Sequence, residues 1–388
     1  MGDCRSLYVH IPFCRSKCAY CDFNSYAGQE RLIPAYVDAL LREATFWAGS
    51  GIVDHIETLY FGGGTPTLLP IAETQRLLDG LRQRFDVTPD AEITFEANPE
   101  SVDDTRLRTL RRMGANRLSL GVQSLDDAEL RFLGRIHDAA KAEAAYGAAR
   151  DAGFDSLSLD LIFGLPRQTT AQWRRTLEKA IALAPDHLSL YALTLEEDTP
   201  LARRIAAGEC PEPDPDAQAE MYSWAGKRLA DAGYEQYEIS NWARPGHRCR
   251  HNLTYWQTRP YLGLGAGAHS YVDGYRLANE RLPDTYIELV GGCGFAWSPD
   301  NMPPHVESFE SPDAQREMAD AIILGLRLTE GVSLEALGRR FDVEVGERYA
   351  RDIAELRGLG LLESVDGRIR LTERGRLLGN EAFQRFLP

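Results

Sequence analysis

Apolar residues recur along this chain with two alternating periods. A short apolar run around Tyr8–Phe13 reads as a strand, and Ile33, Tyr36, Val37, Leu40, Leu41 and Ala44 then repeat at helical spacing over Ile33–Trp47. Thr58–Phe61 is strand-like again. Strand, loop, helix, strand is the opening of a parallel α/β sheet. The order continues with a strand at Ala91–Ala97, a helix at Asp103–Met113 and a strand at Arg117–Gly121. Helical stretches at Asp126–Leu133 and Asp138–Ala152 follow, then a strand at Ser156–Ile162, a helix at Thr170–Leu183 and a sixth strand at His187–Tyr191. Six βα units in series predict an α/β fold, a partial (β/α)6 barrel of the TIM-like kind.

Beyond the sixth strand the texture changes. Glu209–Asp216, ECPEPDPD, is acidic and proline-rich and reads as a linker, followed by a helix at Asp216–Ala232 and an edge-like strand at Tyr234–Ser240. Three amphipathic helices at Pro312–Leu328, Ser333–Phe341 and Arg348–Leu359 precede a hairpin turning at Asp366-Gly367. The expected division is a barrel over residues 1–240, a connecting region over 241–304, and a C-terminal α+β extension over 305–388 ending in a winged-helix-like domain.

Composition narrows the function classes. The 388 residues carry a formal net charge of −15, which argues against general affinity for nucleic acid or an anionic membrane surface. From Ser311 to Pro388, 14 acidic side chains face 12 arginines, so the winged-helix-like region lacks the basic stripe of a DNA reader. No apolar run approaches ~18 residues and no signal peptide opens the chain, so the protein is expected to be cytoplasmic and soluble. Seven cysteines, three of them in one tight motif, do not resemble a disulfide framework. Cys4, Cys210, Cys249 and Cys293 are scattered and read as incidental thiols.

The remaining three, Cys14, Cys18 and Cys21, form C-x3-C-x2-C directly after the first strand. Three convergent thiolates call for a metal. Zinc would need a fourth protein ligand, for which His10 or Asp22 would be unusual, whereas an iron–sulfur cluster on three cysteines leaves one iron open. Gly62-Gly63-Gly64 closes the second strand, and glycine there lets the backbone approach a ligand. Glu96, Gln123 and Asp160 fall at C-terminal strand ends, where barrels gather their chemistry. Asp160 lies in an apolar run, so it either faces a polar ligand or is satisfied by a structural partner. In Cys249–Trp256, CRHNLTYW, His251 beside Asn252, Tyr255 and Trp256 is either a packed polar cluster or an axial ligand for haem. The glycine run at Gly263–Gly267 could approach such a flat ligand.

The cysteine spacing with Tyr20 before the last thiol resembles the cluster motif of the radical S-adenosylmethionine superfamily. The resemblance implies a [4Fe-4S] cluster on Cys14, Cys18 and Cys21, its fourth iron chelated by the amino and carboxyl groups of S-adenosylmethionine. The glycine run resembles the motif that holds that amino group. The order YVHIPFC, YFGGGTP, EANPE, RLSLGVQS, DLIFGLP, YEISNWA, CRHNLTYW, LGLGAGAH and LTERGRLLGN is similar, over nearly the whole chain, to the coproporphyrinogen oxidase-like branch. Carried over, it implies S-adenosylmethionine contacts from Tyr8, Gly63, Gly64, Thr65, Glu96, Gln123, Arg135 and Asp160, and haem at His251.

That branch holds the oxygen-independent coproporphyrinogen III dehydrogenases and the HemW-type haem chaperones. Dehydrogenases carry a further cysteine two positions after the third, where this chain has Phe23, and a long extension ahead of the cluster, where it has 13 residues before Cys14. His251-Asn-Leu-Thr-Tyr-Trp256 matches the HNxxYW motif of the chaperones. The resemblance therefore implies a haem chaperone, with haem and haem-acceptor proteins as partners. Peripheral contact with membrane haemoproteins and a cluster-dependent homodimer are further expectations.

Overall fold

The six expected strands form the middle of a nine-stranded sheet in a computed structural model that describes residues 4–292 and 302–388. Cys293 lies outside the described residues. The strands are Cys4–Ile11, Val53–Gly63, Val87–Ala97, Arg117–Gln123, Ser156–Phe163 and His187–Ala192, adjacent in chain order and parallel throughout. Helices between them have sequence-encoded starts: Asp103 accepts from the Arg106 N–H, Asp138 from that of Lys141, and Thr169 forms a capping box with Gln172. The helix Ile71–Arg84 has no counterpart among the expected elements. Its buried face is narrow (Thr74, Leu77, Leu78, Gly80, Leu81) and lies among charged residues.

Pleat and register give the sheet two opposite faces. One carries Leu59, Phe61, Phe95, Leu118, Leu157, Leu159 and Leu188, all buried in the main hydrophobic core with the helices. The other places Thr58 beside Glu92, Glu96 beside Ser119, Ser119 beside Ser158, and Asp160 beside Ser189. These side chains satisfy one another: Ser119 donates to Asp160 at 2.9 Å, Arg117 donates to Ser156 at 2.9 Å, and Ser158 bonds His187 at 2.8 Å. The alternation in RLSLG, SLSLDLI and HLSLY is thus an apolar helix-facing surface and a polar concave one.

The sheet extends past both ends of the six-strand run. Leu262–Leu264 pairs parallel with the first strand, and Asn241–Ala243 pairs antiparallel with the sixth, with Glu235–Glu238 outside it. The strands at 241–243 and 262–264 fall within the expected connecting region, where three-residue strands carry no readable period. The acidic linker is also shorter than expected. Pro215 occupies the first turn of a helix, Pro215–Asp231, capped by Asp214, a position where proline's missing N–H costs nothing.

C-terminal to residue 313 the chain has its own core, including Met318, Ile322, Leu356, Ile369 and Phe386. It holds helices Ala314–Gly325, Leu334–Phe341 and Ala350–Gly358, with the hairpin Leu362–Val365/Arg368–Leu371 in a three-stranded antiparallel sheet.

Candidate functional site

The cysteine loop is a closed excursion from the end of the first strand. Phe13–Cys14 pairs with Tyr26–Ala27, and the Tyr26 N–H bonds the Pro12 carbonyl at 2.7 Å, pinning the base of the loop. Inside it, Lys17 Nζ donates to the carbonyls of Phe23 and Ser25 at 2.5 and 3.2 Å. The Ala19 N–H reaches the Leu133 carbonyl at 3.2 Å and holds the loop over the barrel mouth. Cys14, Cys18 and Cys21 are half-buried, and partial desolvation pushes the thiols of Cys14 and Cys21 up.

All three line one cavity of about 370 Å³ at the C-terminal ends of the strands. That volume lies within the range of small-molecule sites, roughly 300–1,000 Å³. Gly63, Gly64, Thr65, Glu96, Gln123, Arg135 and Asp160 line it as well. The Gly64 N–H bonds the Ile11 carbonyl at 2.8 Å, and a Cβ on Gly64 would lie 2.7 Å from the Phe13 carbonyl oxygen, so the strand leading to Cys14 fits only against glycine. Gln123, at the bulged end of the fourth strand, has φ 67°, backbone strain of the kind that collects at functional sites.

Two half-buried carboxylates face the cavity. Glu96 accepts from the Tyr60 hydroxyl at 2.7 Å and from the Gly63 N–H at 3.1 Å. Burial dominates these bonds and pushes its carboxyl up to about 7. Burial also raises Asp160, which accepts from Ser119 and Ser158. Arg135 lies in the turn after a short helix, Asp127–Phe132, where its guanidinium donates to Cys18 Sγ at 3.3 Å, to Asn98 and to the Gly121 carbonyl. Its Nε is buried without a hydrogen-bond partner among the described residues.

Tyr8 stands beneath the cavity floor, its hydroxyl 3.0 Å from His10 Nδ1 and its ring against Tyr60. His10 Nε2 bonds the Asn24 carbonyl at 2.8 Å, so both imidazole nitrogens are engaged away from the thiols. Among the described residues no set of three or more His, Cys, Asp or Glu side chains is placed to hold a single metal ion.

His251 does not line the cavity. It is 1 % exposed, inside the concave face, with Nδ1 2.8 Å from the Thr58 hydroxyl and Nε2 2.8 Å from that of Tyr255. Gly263–Gly267 is likewise filled by the chain itself: a Cβ at Gly265 would meet Tyr36 and the His10 carbonyl, and one at Gly267 would meet Asn24. The glycines serve close packing against the first strand and the cysteine loop, not an approaching flat ligand. Asn98 and Tyr60 enter the site unforeseen. Asn98 bridges Thr65 and Arg135. The readable signal for Tyr60 was its place between Thr58 and Gly62 on the polar face.

Residues 8–180 match the radical SAM superfamily, and residues 313–378 match the HemN C-terminal domain. A haem chaperone, HemW, from Bacillus subtilis is 35% identical over 99% of this chain and 99% of its own. HemW from Mycobacterium tuberculosis is 38% identical over 100% of this chain and 95% of its own. Among solved structures, coproporphyrinogen III oxidase (HemN) from Escherichia coli, a radical SAM enzyme, superposes with a TM-score of 0.85 at 27% identity, over 99% of this chain and 90% of that one. Likeness of this degree from end to end joins barrel, cysteine loop and C-terminal region in one descent, and the chain belongs to the HemW family of the radical SAM superfamily.

Proposed function

We propose that the protein is a haem chaperone that binds haem and passes it to acceptor haemoproteins, carrying a [4Fe-4S] cluster and S-adenosylmethionine in the cavity at the barrel mouth. The observation that carries this reading is the convergence of Cys14, Cys18 and Cys21 with seven of the eight expected cofactor contacts on one cavity. The donor set fits. Three thiols on a pinned loop suit a cluster with one open iron. Glu96, Asp160 and Arg135 offer both signs of charge to a ligand that combines a sulfonium, an ammonium and a carboxylate. Tyr8 acts from beneath the floor. When bound, the two cofactors can supply radical chemistry. No haem ligand is assigned to His251, whose ring nitrogens are both hydrogen-bonded.

The haem-binding function rests on the relatives named as haem chaperones and on Phe23 in place of a fourth motif cysteine. Cytoplasmic work, peripheral contact with membrane haemoproteins, a cluster-dependent homodimer and the division into units 1–240, 241–304 and 305–388 belong to the same proposal. Among the described residues no helix is long and apolar enough to cross a membrane. The overall likeness to HemN favours a second reading, oxygen-independent coproporphyrinogen III dehydrogenase. The test is anaerobic reconstitution with iron and sulfide, followed by parallel assays of haem binding, haem transfer to an apo-haemoprotein and coproporphyrinogen III conversion. Haem should bind and transfer while coproporphyrinogen stays unconverted. Turnover of ~1 per second or faster would establish the dehydrogenase instead.

Glu96 makes a pH prediction. Its folded pKa is raised, so the folded chain holds a proton that the unfolded chain releases at lower pH, and stability contributed by this group falls as pH rises toward 7. The ionised form is the one that attracts a sulfonium. S-adenosylmethionine affinity should therefore rise several-fold from pH 6 to pH 8 by anaerobic calorimetry, and Glu96→Gln should bind more weakly with a flat profile.

A further inference from the structure

The HNLTYW segment is a helix, Arg250–Trp256, lying on the polar concave face below the cavity. The Glu92 carboxylate caps it from the third strand, accepting from the Arg250 and His251 N–H groups at 3.1 and 3.0 Å. Thr254 bonds Ser6 of the first strand at 2.8 Å. So anchored, the helix presses the His251 imidazole against Tyr60, ring centroids 5.0 Å apart and planes 23° from parallel. Tyr60 in turn gives its hydroxyl hydrogen to Glu96 at the cavity.

We propose that His251 is a positioning residue for the cofactor cavity: its ring backs Tyr60, Tyr60 fixes one oxygen of Glu96, and Glu96 is thereby aimed at the cationic part of bound S-adenosylmethionine. The inference rests on the proposed S-adenosylmethionine site. Its competitor is iron ligation. A neutral imidazole has one nitrogen lone pair, and in either tautomer that lone pair here faces a hydroxyl, of Thr58 or of Tyr255. An iron would have to displace that bond and draw the ring out of its stack. Burial keeps the imidazole neutral, its pKa lowered to about 3, as a stacked wall requires.

The relay leaves a mark on Glu96. The other titratable groups facing this carboxylate are Tyr8 from the first strand, Asp160 from the fifth, Tyr191 from the sixth and Tyr255 from the helix; Tyr255 loses its bond to His251 in His251→Ala and His251→Phe alike, so a shift confined to His251→Ala does not come from it. Tyr60's hydrogen bond favours the ionised carboxylate, so freeing Tyr60 should move the Glu96 titration upward.

The experiment compares wild type with His251→Ala, His251→Phe, Tyr60→Phe and the double variant His251→Ala/Tyr60→Phe, all in the full chain. In cofactor-free protein, ¹³C NMR of labelled glutamate, with Glu96 assigned from Glu96→Gln, should show its titration raised by about one pH unit in His251→Ala and Tyr60→Phe. The double variant should move no further. His251→Phe keeps a flat ring and no nitrogen, so it should titrate like wild type. In reconstituted protein, S-adenosylmethionine affinity at pH 7 should fall about tenfold in the first two and stay within about threefold in His251→Phe, with haem bound by all. An unshifted Glu96 in Tyr60→Phe overturns the relay, even if His251→Ala fails to fold. So does loss of the haem band in both His251 variants with Glu96 unshifted. If wild type binds no S-adenosylmethionine while the Glu96 shifts are as described, the cofactor assignment falls and the positioning of Glu96 by His251 stands.

Discussion

Replacing Cys14, Cys18 or Cys21 singly by serine is expected to reduce iron content after anaerobic reconstitution from about four atoms per chain to under about one. With three protein ligands and one iron left for a small molecule, no spare thiolate can take over. None of the other described cysteines lines the cavity. Cys4 is buried on the first strand, Cys210 sits in a small apolar cluster, and Cys249 points its thiol at Glu92. Serine variants at those three positions should keep full iron and the visible absorption of the cluster. The loop variants should still fold, because the loop is held by Lys17 and by the Phe13–Cys14/Tyr26–Ala27 pairing and not by metal alone. Full iron content in any one loop variant, measured beside an unchanged circular dichroism spectrum, would remove the cluster from these residues.

Substituting Glu43 by alanine should cost about 3–5 kcal/mol of stability, because it leaves several buried polar groups without their common partner. Glu43 lies on the helix Ile33–Ala48 and is 0 % exposed. One carboxylate oxygen accepts from Asn279 at 2.8 Å and lies 3.0 Å from His305 Nε2; the other accepts from the Gly265 N–H at 2.8 Å and from the Tyr286 hydroxyl. One side chain thus ties the first helix to the segment that adds Leu262–Leu264 to the sheet beside the first strand. Burial alone would raise its carboxyl, yet the nearby His305 and the hydrogen bonds hold it below the usual range. Its stabilising contribution is therefore complete above the unfolded carboxylate pKa of about 4.3 and is lost as pH falls below it. Urea unfolding at pH 7 should show a large drop in midpoint for Glu43→Ala, narrowing only below about pH 4. An unchanged midpoint at pH 7 would mean that the cluster around Glu43 contributes nothing net.

Features confined to a few consecutive residues were legible without the fold. Three cysteines within eight positions of one loop must lie near one another whatever the rest of the chain does, and the run Gly62–Gly64 closes a strand, so its place at the strand end follows from the strand period. The six strands could be read for the same reason, since side-chain period is a local property of the backbone. Asp160, a carboxylate in an apolar run, pointed to the polar face because an unpaired charge would be costly on the other.

Contacts between distant parts of the chain were decided only by tertiary structure. Arg135 meets Cys18 across 117 residues, His251 meets Thr58 across 193 and Tyr286 meets Glu43 across 243, and each meeting depends on the order and register of strands between them. The HNLTYW motif shows the difference most plainly. Its residue types permit either an iron ligand or a packed imidazole, and nothing local separates the two. The Glu92 cap and the Tyr60 ring, which the folded sheet brings from the third and second strands, bury the histidine with both nitrogens hydrogen-bonded, and no local spacing carries that arrangement.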